Sequence, residues 1–476
     1  MKLRKRSVIF TSILMSIFVF ITASAALASS AKYVFMFVGD GMANPQVAAA
    51  EAFLASQEGE IGQKQLSFTS FPGQGMQTTY ANDRFITGSA ASATAMASGV
   101  KTNIGYVGVD SNSKSVKSIA ELAKEAGMKV GIVSSVTIDH ATPAAYYAHV
   151  PNRGEYYKIG QQMAESNFDY IAGGMPRVDR TPDGEAAVPE IMSQKGWLTI
   201  NAGENSQEFS ELKKASKKVF AYQKGFAGGA FNYEIDRSQE ELDLAAFTRK
   251  GIELLDNPDG FFMMVEGGKI DWAGHANDAV TNIYDTIAFD RAVAEAVRFY
   301  DAHPTETLIV VTGDHECGGL TLGWAGTGYE TAFDVFASQK ASFEWFDHNV
   351  LKPYKEKISV DNAELKDLED EIEKYFGLSN WSERERELLE GAFARSINGK
   401  KEKANDEETY ILYGGYEPLT VTLTHVLNNR AGVSWGSYKH TGVPAPIYAL
   451  GQGYDLFDGY YDNTDIFNKL IQAINL

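Results

Sequence analysis

Five short apolar runs constrain the fold more than any other feature of this chain. They span residues 33–38, 129–134, 261–265, 307–312 and 447–450. Each is rich in β-branched or aromatic residues, and most are too short for a helix, so they read as buried strands. Helical patterns lie between them. Pro45 takes an N1-like position ahead of Val47-Ala48-Ala49-Ala50-Glu51. Residues 116–126 are amphipathic and stop at Gly127, a residue suited to end a helix. Residues 278–300 carry Ile283, Ile287 and Val293 on one side. Strands alternating with helices predict an α/β fold, a three-layer sandwich with a large, mostly parallel central sheet and helices on both faces. Ligands in such sheets bind beyond the carboxyl ends of the strands.

Composition narrows the function classes. Hydrophobic residues are 44% and charged residues 22%, a globular profile. The net charge is -19, which excludes a cationic nucleic-acid footprint. The lone cysteine, Cys317, excludes an intramolecular disulfide and a multi-cysteine metal site. Any metal site is expected to use His, Asp and Glu, with Cys317 read as a buried thiol near a strand end. Lys2, Arg4, Lys5 and Arg6 precede an apolar run from Val8 to about Ala23, and Ala26-Leu27-Ala28 fits a cleavage site. Residues 1–28 are therefore expected to be a signal peptide, for a periplasmic or secreted protein; a retained anchor is the alternative. No later segment approaches the ~20 apolar residues of a membrane span.

At ~150 residues per domain, a chain of this length would hold about three domains. Residues 326–436 differ in character from the rest. Positions 361–373 are nearly all charged, with Leu365, Leu368 and Ile372 as a sparse stripe. Ser382 and Glu385 make a capping box ahead of Leu388, Leu389 and Phe393. Residues 400–408 read as a polar loop. Trp345, Tyr375 and Trp381 read as a small core of this segment. The expected organisation is a catalytic domain of 29–325 and 437–476, interrupted by an inserted, crown- or lid-like subdomain at 326–436. A dimer contact and a distant surface decoration are the other readings of that insert.

The polar residues worth notice follow the strands. The first strand runs into Gly39-Asp40-Gly41. The third enters Glu266-Gly267-Gly268-Lys269-Ile270-Asp271-Trp272-Ala273-Gly274-His275. The fourth enters Gly313-Asp314-His315-Glu316, and His440 sits in Lys439-His440-Thr441-Gly442. Imidazole and carboxylate donors suit zinc, and oxygen-rich sets suit magnesium. Three strand ends supplying such groups imply a multi-metal centre, of the kind that clamps attacking and leaving oxygens in phosphoryl transfer. Ser89 opens an Ala-rich helical pattern that ends at Gly99. It reads either as a helix cap or as a nucleophile beside a helix terminus that favours a phosphoryl anion.

Together these segments resemble the alkaline phosphatase family, with its serine nucleophile, two zinc ions and one magnesium ion. The matching segments are Gly39-Asp40-Gly41, Ser89-Ala90-Ala91-Ser92-Ala93, His140-Ala141-Thr142-Pro143, His149-Val150-Pro151-Asn152-Arg153, residues 266–275, Asp314-His315 and His440-Thr441-Gly442. They occur in family order and cover about residues 32–325 and 437–470. The resemblance implies that Asp271, His275 and His440 hold the first zinc. It implies that Asp40, Asp314 and His315 hold the second, and that Asp40, Thr142 and Glu266 hold magnesium. Ser89 would become a phosphoserine, and Arg153 would bind two phosphate oxygens. The implied activity is hydrolysis of small phosphate monoesters, with a homodimer as a possible assembly.

Three positions depart from the pattern of many relatives. Gly88 replaces an Asp that helps to hold the phosphate-binding Arg, so Arg153 is expected to be either more mobile or held by another group. His140 and Trp272 stand where one branch has Asp and Lys, and His140 leaves the third metal open between zinc and magnesium. Two other readings fit part of the pattern. A metal phosphodiesterase of the same superfamily would share the two-zinc frame, but the Thr142, Glu266 and Arg153 set favours monoesters. An exported zinc- or phosphate-binding protein would not need the intact Ser89.

Overall fold

The structure is a computed structural model that describes residues 30–214, 217–398 and 407–476. The expected signal peptide and most of the 400–408 loop lie outside the described residues. The strands in chain order are β1 (Tyr33–Gly39), β2 (Gly73–Thr78), β3 (Lys129–Thr137), β4 (Tyr170–Gly174), β5 (Leu198–Asn201), β6 (Val219–Gln223), β7 (Phe261–Gly267) and β8 (Thr307–Gly313). They continue with β9 (Glu316–Cys317), β10 (Thr321–Leu322), β11 (Val433–Ser434), β12 (His440–Thr441), β13 (Ala445–Gly451) and β14 (Gly459–Asp462). Ten of them form one sheet in the order β14-β2-β13-β8-β1-β7-β3-β4-β6-β5. Within it β13 runs antiparallel to both its neighbours, and the other pairings are parallel. The mostly parallel sheet expected from the alternation is thus present.

Side-chain alternation along the strands makes two cores. Tyr33, Phe35 and Phe37 of β1 join a cluster on one face, and Val34, Met36 and Val38 join a cluster on the other. Helices Asn44–Gln57, Leu244–Leu255 and Ala279–Ala302 cover the first face. Helices Ser89–Ser98, Ile119–Glu125, Tyr156–Glu165 and Thr464–Ile474 cover the second. Burying a side chain such as Phe35 stabilises by about 1.5–3 kcal/mol, so strands buried on both faces fix the middle of the sheet firmly. That middle positions the site. β1 lies between β7 and β8, with Gly39 level with Gly267 on one side and Gly313 on the other.

Local boundaries differ from the sequence reading in three places. The helix expected from residue 116 begins at Ile119, because Ser118 caps it and Glu121 closes the box. Ser89 is not the cap of its helix: Gly88 holds that extended position, and Ser89 is the first helical residue. Glu407 and Glu408, read as loop, start the helix Glu407–Tyr413.

The 326–436 segment is partly helical, with the Ser382–Glu385 box formed as expected. Its apolar stripe is continuous with the sheet-face core. Phe336, Phe346, Ile372, Phe376 and Leu389 belong to the same cluster as Phe35, and Trp381 and Tyr375 pack against it. The segment also grips the cap of the long helix Ala279–Ala302. Gln339 Nε2 donates to both carboxylate oxygens of Asp278 (3.0 and 3.1 Å), and the Phe343 N–H donates to one of them (3.0 Å).

Candidate active site

The carboxyl ends of β1, β7 and β8 bring the chemistry together. Asp40 follows β1 directly, Glu266 is the penultimate residue of β7, and Asp314 follows β8. Gly41 lets the chain turn beside Asp40 with φ +72°, and a Cβ there would lie 2.8 Å from the Asp271 Cα. The helix Lys269–His275 leaves β7 and presents Asp271 and His275, one turn apart on one face. Two-residue β12 pairs antiparallel with β9 and carries His440 back to the same place.

Distances assemble a first donor group. Asp271 Oδ2 is 3.4 Å from His275 Nε2, and Asp271 Oδ1 is 3.4 Å from His440 Nε2. The two Nε2 atoms are 3.1 Å apart. His275 Nδ1 donates to the Tyr438 carbonyl (2.7 Å) and His440 Nδ1 to the Thr87 carbonyl (2.9 Å). A backbone carbonyl can only accept, so both rings carry a proton on Nδ1 and turn Nε2 inward. Burial works against the Asp271 charge, yet the adjoining His275 and His440 hold its carboxyl well below the usual range.

A second group surrounds Ser89. His315 Nε2 lies 3.4 Å from Asp40 Oδ1 and 3.3 Å from Asp314 Oδ2. Ser89 Oγ is 3.5 Å from Asp40 Oδ1 and 3.5 Å from His315 Nε2. Asp314 Oδ1 accepts from the N–H groups of Gly41 (3.0 Å) and His315 (2.9 Å), which leaves Oδ2 for the centre. Within 4.8 Å of one another, Asp40 and His315 are joined by Asp271. A third group joins Asp40, His140 and Glu266, with Thr142 Oγ1 3.4 Å from Asp40 Oδ2. Ser134 Oγ donates to Glu266 Oε2.

These donors fit metal cations. Glu266 Oε1, Asp271 Oδ1 and Asp314 Oδ2 are buried and have no hydrogen-bond partner. Unpaired buried carboxylates are costly without a nearby cation. Burial pushes Asp40 well up, helped by Asp314 and Asp271. It also raises Glu266 to about 8 and Asp314 to about 7. Protons and metal ions compete for such groups.

Arg153 is half-buried beside this centre, and its Nη2 donates to His140 Nε2 at 2.9 Å. That contact supplies the partner that Gly88 cannot. The Trp272 ring meets His140 edge-on, with centroids 5.8 Å apart. His149, inside one of the matching segments, lies elsewhere and bonds the Gly108 carbonyl and Glu121.

Two participants were not singled out from sequence, and a third, Cys317, was read only as a buried thiol. Ser134 orients Glu266. Lys269 is buried, with its ammonium 3.5 Å from the Tyr233 ring centroid and 4.6 Å from that of Trp272. It lines a cavity of about 740 Å³ with His140, Arg177, Lys224 and Trp272. Cys317 is buried as expected, but it stands among the donors of the first group. Its position three residues after Asp314 was the one available signal.

The alkaline phosphatase family model matches residues 31–178 and 181–476. Alkaline phosphatase 4 of Bacillus subtilis (strain 168) is 30% identical over 450 residues, covering 93% of this chain and 88% of its own. The cold-active alkaline phosphatase of a psychrophilic Shewanella is 28% identical with a TM-score of 0.77, covering 93% of this chain and 99% of that one. The Thermus thermophilus alkaline phosphatase is 25% identical with a TM-score of 0.78, over 94% and 92%. Fold, strand-end chemistry and these likenesses agree: the chain belongs to the alkaline phosphatase family and is a phosphoric monoester hydrolase.

Proposed function

We propose that the chain is an exported phosphomonoesterase that works through a phosphoserine on Ser89, with two zinc ions and one magnesium ion as cofactors. The carrying observation is Ser89 Oγ, buried at a helix start and 3.5 Å from both Asp40 and His315. In this reading Asp271, His275 and His440 hold one zinc, Asp40, Asp314 and His315 the other, and Asp40, Thr142 and Glu266 the magnesium. When bound, the ions supply Lewis-acid stabilisation to the attacking and leaving oxygens.

The chain's own groups do the rest. Ser89 Oγ, giving up its proton, attacks phosphorus in line as the bond to the ester oxygen breaks, and that oxygen leaves with a proton as the free alcohol. The free N–H groups at the start of Ser89–Ser98 favour the phosphoryl charge. Arg153 holds two non-bridging oxygens with its planar fork, which lysine cannot match. Water then attacks the phosphoserine from the opposite side, the bond to Ser89 Oγ breaks, one water proton restores the serine hydroxyl and inorganic phosphate leaves, giving net retention at phosphorus. Export is supported by the basic, apolar and small-residue order of positions 1–28. No helix among the described residues is long and apolar enough to cross a membrane.

The test assays p-nitrophenyl phosphate and its bis-ester with chelator, and then with zinc and magnesium restored. Chelation should abolish monoester turnover and the metals should restore it. Ser89→Ala should lose about 10³-fold or more. Activity that survives both treatments, or a preference for the bis-ester, would overturn the reading.

A further inference from the structure

The cavity of about 740 Å³ opens beyond the carboxyl ends of β3, β4 and β6, on the side of β7 away from β1. Thr137 ends β3, residues 175–179 follow β4, and residues 224–232 follow β6. Ligands of α/β sheets bind outside those ends, and pockets of about 300–1,000 Å³ take up most of a drug-sized molecule. His140 and Trp272 form the wall between cavity and site. The His140 ring that lines the cavity also holds Arg153. Trp272 is the residue after Asp271. In the proposed reaction Ser89 attacks from beside Asp40 and His315, so the leaving oxygen departs toward the Asp271, His275 and His440 group. The rest of the leaving group then emerges beside Trp272.

The charge of the lining points to an occupant. The chain carries a net charge of -19, yet the cations Arg177, Lys224 and Lys269 outnumber the carboxylates Asp179 and Glu344 here. Arg177 is taken by Asp179, which accepts from its Nε and Nη2 at 2.8 Å each. Lys224 is an exposed part of the lining. Lys269 is 2% exposed, and the carboxylate oxygen paired with it, Glu344 Oε2, is 3.7 Å away, too far for a hydrogen bond. Its ammonium otherwise faces the rings of Tyr233 and Trp272. A buried ammonium without a hydrogen-bonded counter-ion is costly. An anion in the cavity would supply one.

Resting on the phosphomonoesterase reading, we propose that this cavity is the leaving-group subsite and selects phosphate monoesters whose alcohol carries a second anionic group. Lys269 is the buried anchor for that group, and Lys224 adds charge from the solvent side. An ester with an uncharged tail gains neither contact.

The test uses the full chain loaded with zinc and magnesium. It compares alkanediol bisphosphates of graded length, from propanediol to octanediol, with alkyl monophosphates of the same length. Both leave as primary alcohols, so the second phosphate is the difference between them. Beyond the statistical advantage of two equivalent ends, kcat/KM should favour the bisphosphate about tenfold at the best length, through KM rather than kcat. Lys269→Met should remove most of that preference and Lys224→Gln part of it. No preference at any length, or a preference that stays parental in both variants, would overturn the subsite and leave the phosphomonoesterase reading standing. A loaded parent that hydrolyses neither kind of ester would overturn that reading itself. Lys224→Gln decides where Lys269→Met fails to fold, because an exposed side chain can be changed without disturbing the core.

Discussion

Arg153 Nη2 donates a 2.9 Å hydrogen bond to His140 Nε2. A guanidinium has only donors, so the ring nitrogen must accept. Burial and the Arg153 charge push the His140 pKa down to about 3, which keeps the ring neutral. The arginine is thus positioned by a neutral partner. Removing a hydrogen bond to a charged group costs about 1.5–3 kcal/mol. His140→Ala should therefore raise KM for monoesters and weaken inhibition by inorganic phosphate about tenfold, with a smaller effect on kcat. Unchanged phosphate inhibition would show that Arg153 does not need this contact.

The metal-free protein should lose stability with rising pH where the loaded one does not. Glu266 and Asp314 are raised to about 8 and about 7, mainly by burial, and Asp40 is also pushed well up by burial and the neighbouring carboxylates. A carboxyl whose folded pKa exceeds its unfolded one keeps its proton only in the folded state. The stability this contributes is fully present below about pH 4 and is lost as pH rises through the folded value. Urea midpoints of chelated protein should fall from pH 5 to pH 8. Metal-loaded protein should show no such fall, since protons and metal compete for these sites. At pH 8, chelation should lower Tm by about 5 °C or more. Superimposable midpoints with and without metal would refute this.

The Trp272 ring contacts both His140 and the buried Lys269 ammonium. In Trp272→Lys a second ammonium would replace the ring that Lys269 faces. Thermal stability should drop, and the added positive charge should tighten phosphate inhibition about tenfold. The measurement is Ki for inorganic phosphate beside a melting curve. A Ki equal to the parent's would count against a part for Trp272 in phosphate holding.

Gly313 ends β8 one residue before Asp314, and a Cβ there would lie 1.7 Å from the Met42 carbonyl oxygen. Gly313→Ala must push the tips of β1 and β8 apart. It should cost about 3 kcal/mol in stability. It should also cost about 10²-fold in turnover, because misplacement by about 1 Å is enough for that. Denaturant midpoints and kcat/KM measured together would check it, and a variant with parental values of both would contradict the close approach.

The central strands were legible because both their faces are buried: the runs at 33–38 and 261–265 are apolar throughout, the run at 307–312 is apolar between Thr307 and Thr312, and they match β1, β7 and β8. β5, with Leu198 and Thr199 half-buried, carries a weaker pattern, and β2 reads Gly-Gln-Gly-Met-Gln-Thr. Neither was singled out, since each owes its place to pairing with neighbours. Asp314-His315 drew notice because Asp next to His after a buried strand is hard to explain by turn propensity, whereas the ligand sets and Thr142 came from the family resemblance. Cys317 and Lys269 were not placed in the site, because their position depends on a β-bridge and on rings brought from distant segments. Arg153 was placed at the phosphate through the family resemblance, but its partner His140, though close in sequence, carries no pattern that marks the contact.

The reversed strand β13 has a consequence for how the protein is made. Asp40 and Ser89 emerge early in synthesis, while His440 arrives just ahead of β13, which must fold back beside β8. Pairings so distant along the chain form late. The proposed donor set therefore stays open until the chain is nearly complete. A truncated or still-threading chain would hold the serine without the full centre, and hydrolysis would begin only after the last quarter of the fold has closed.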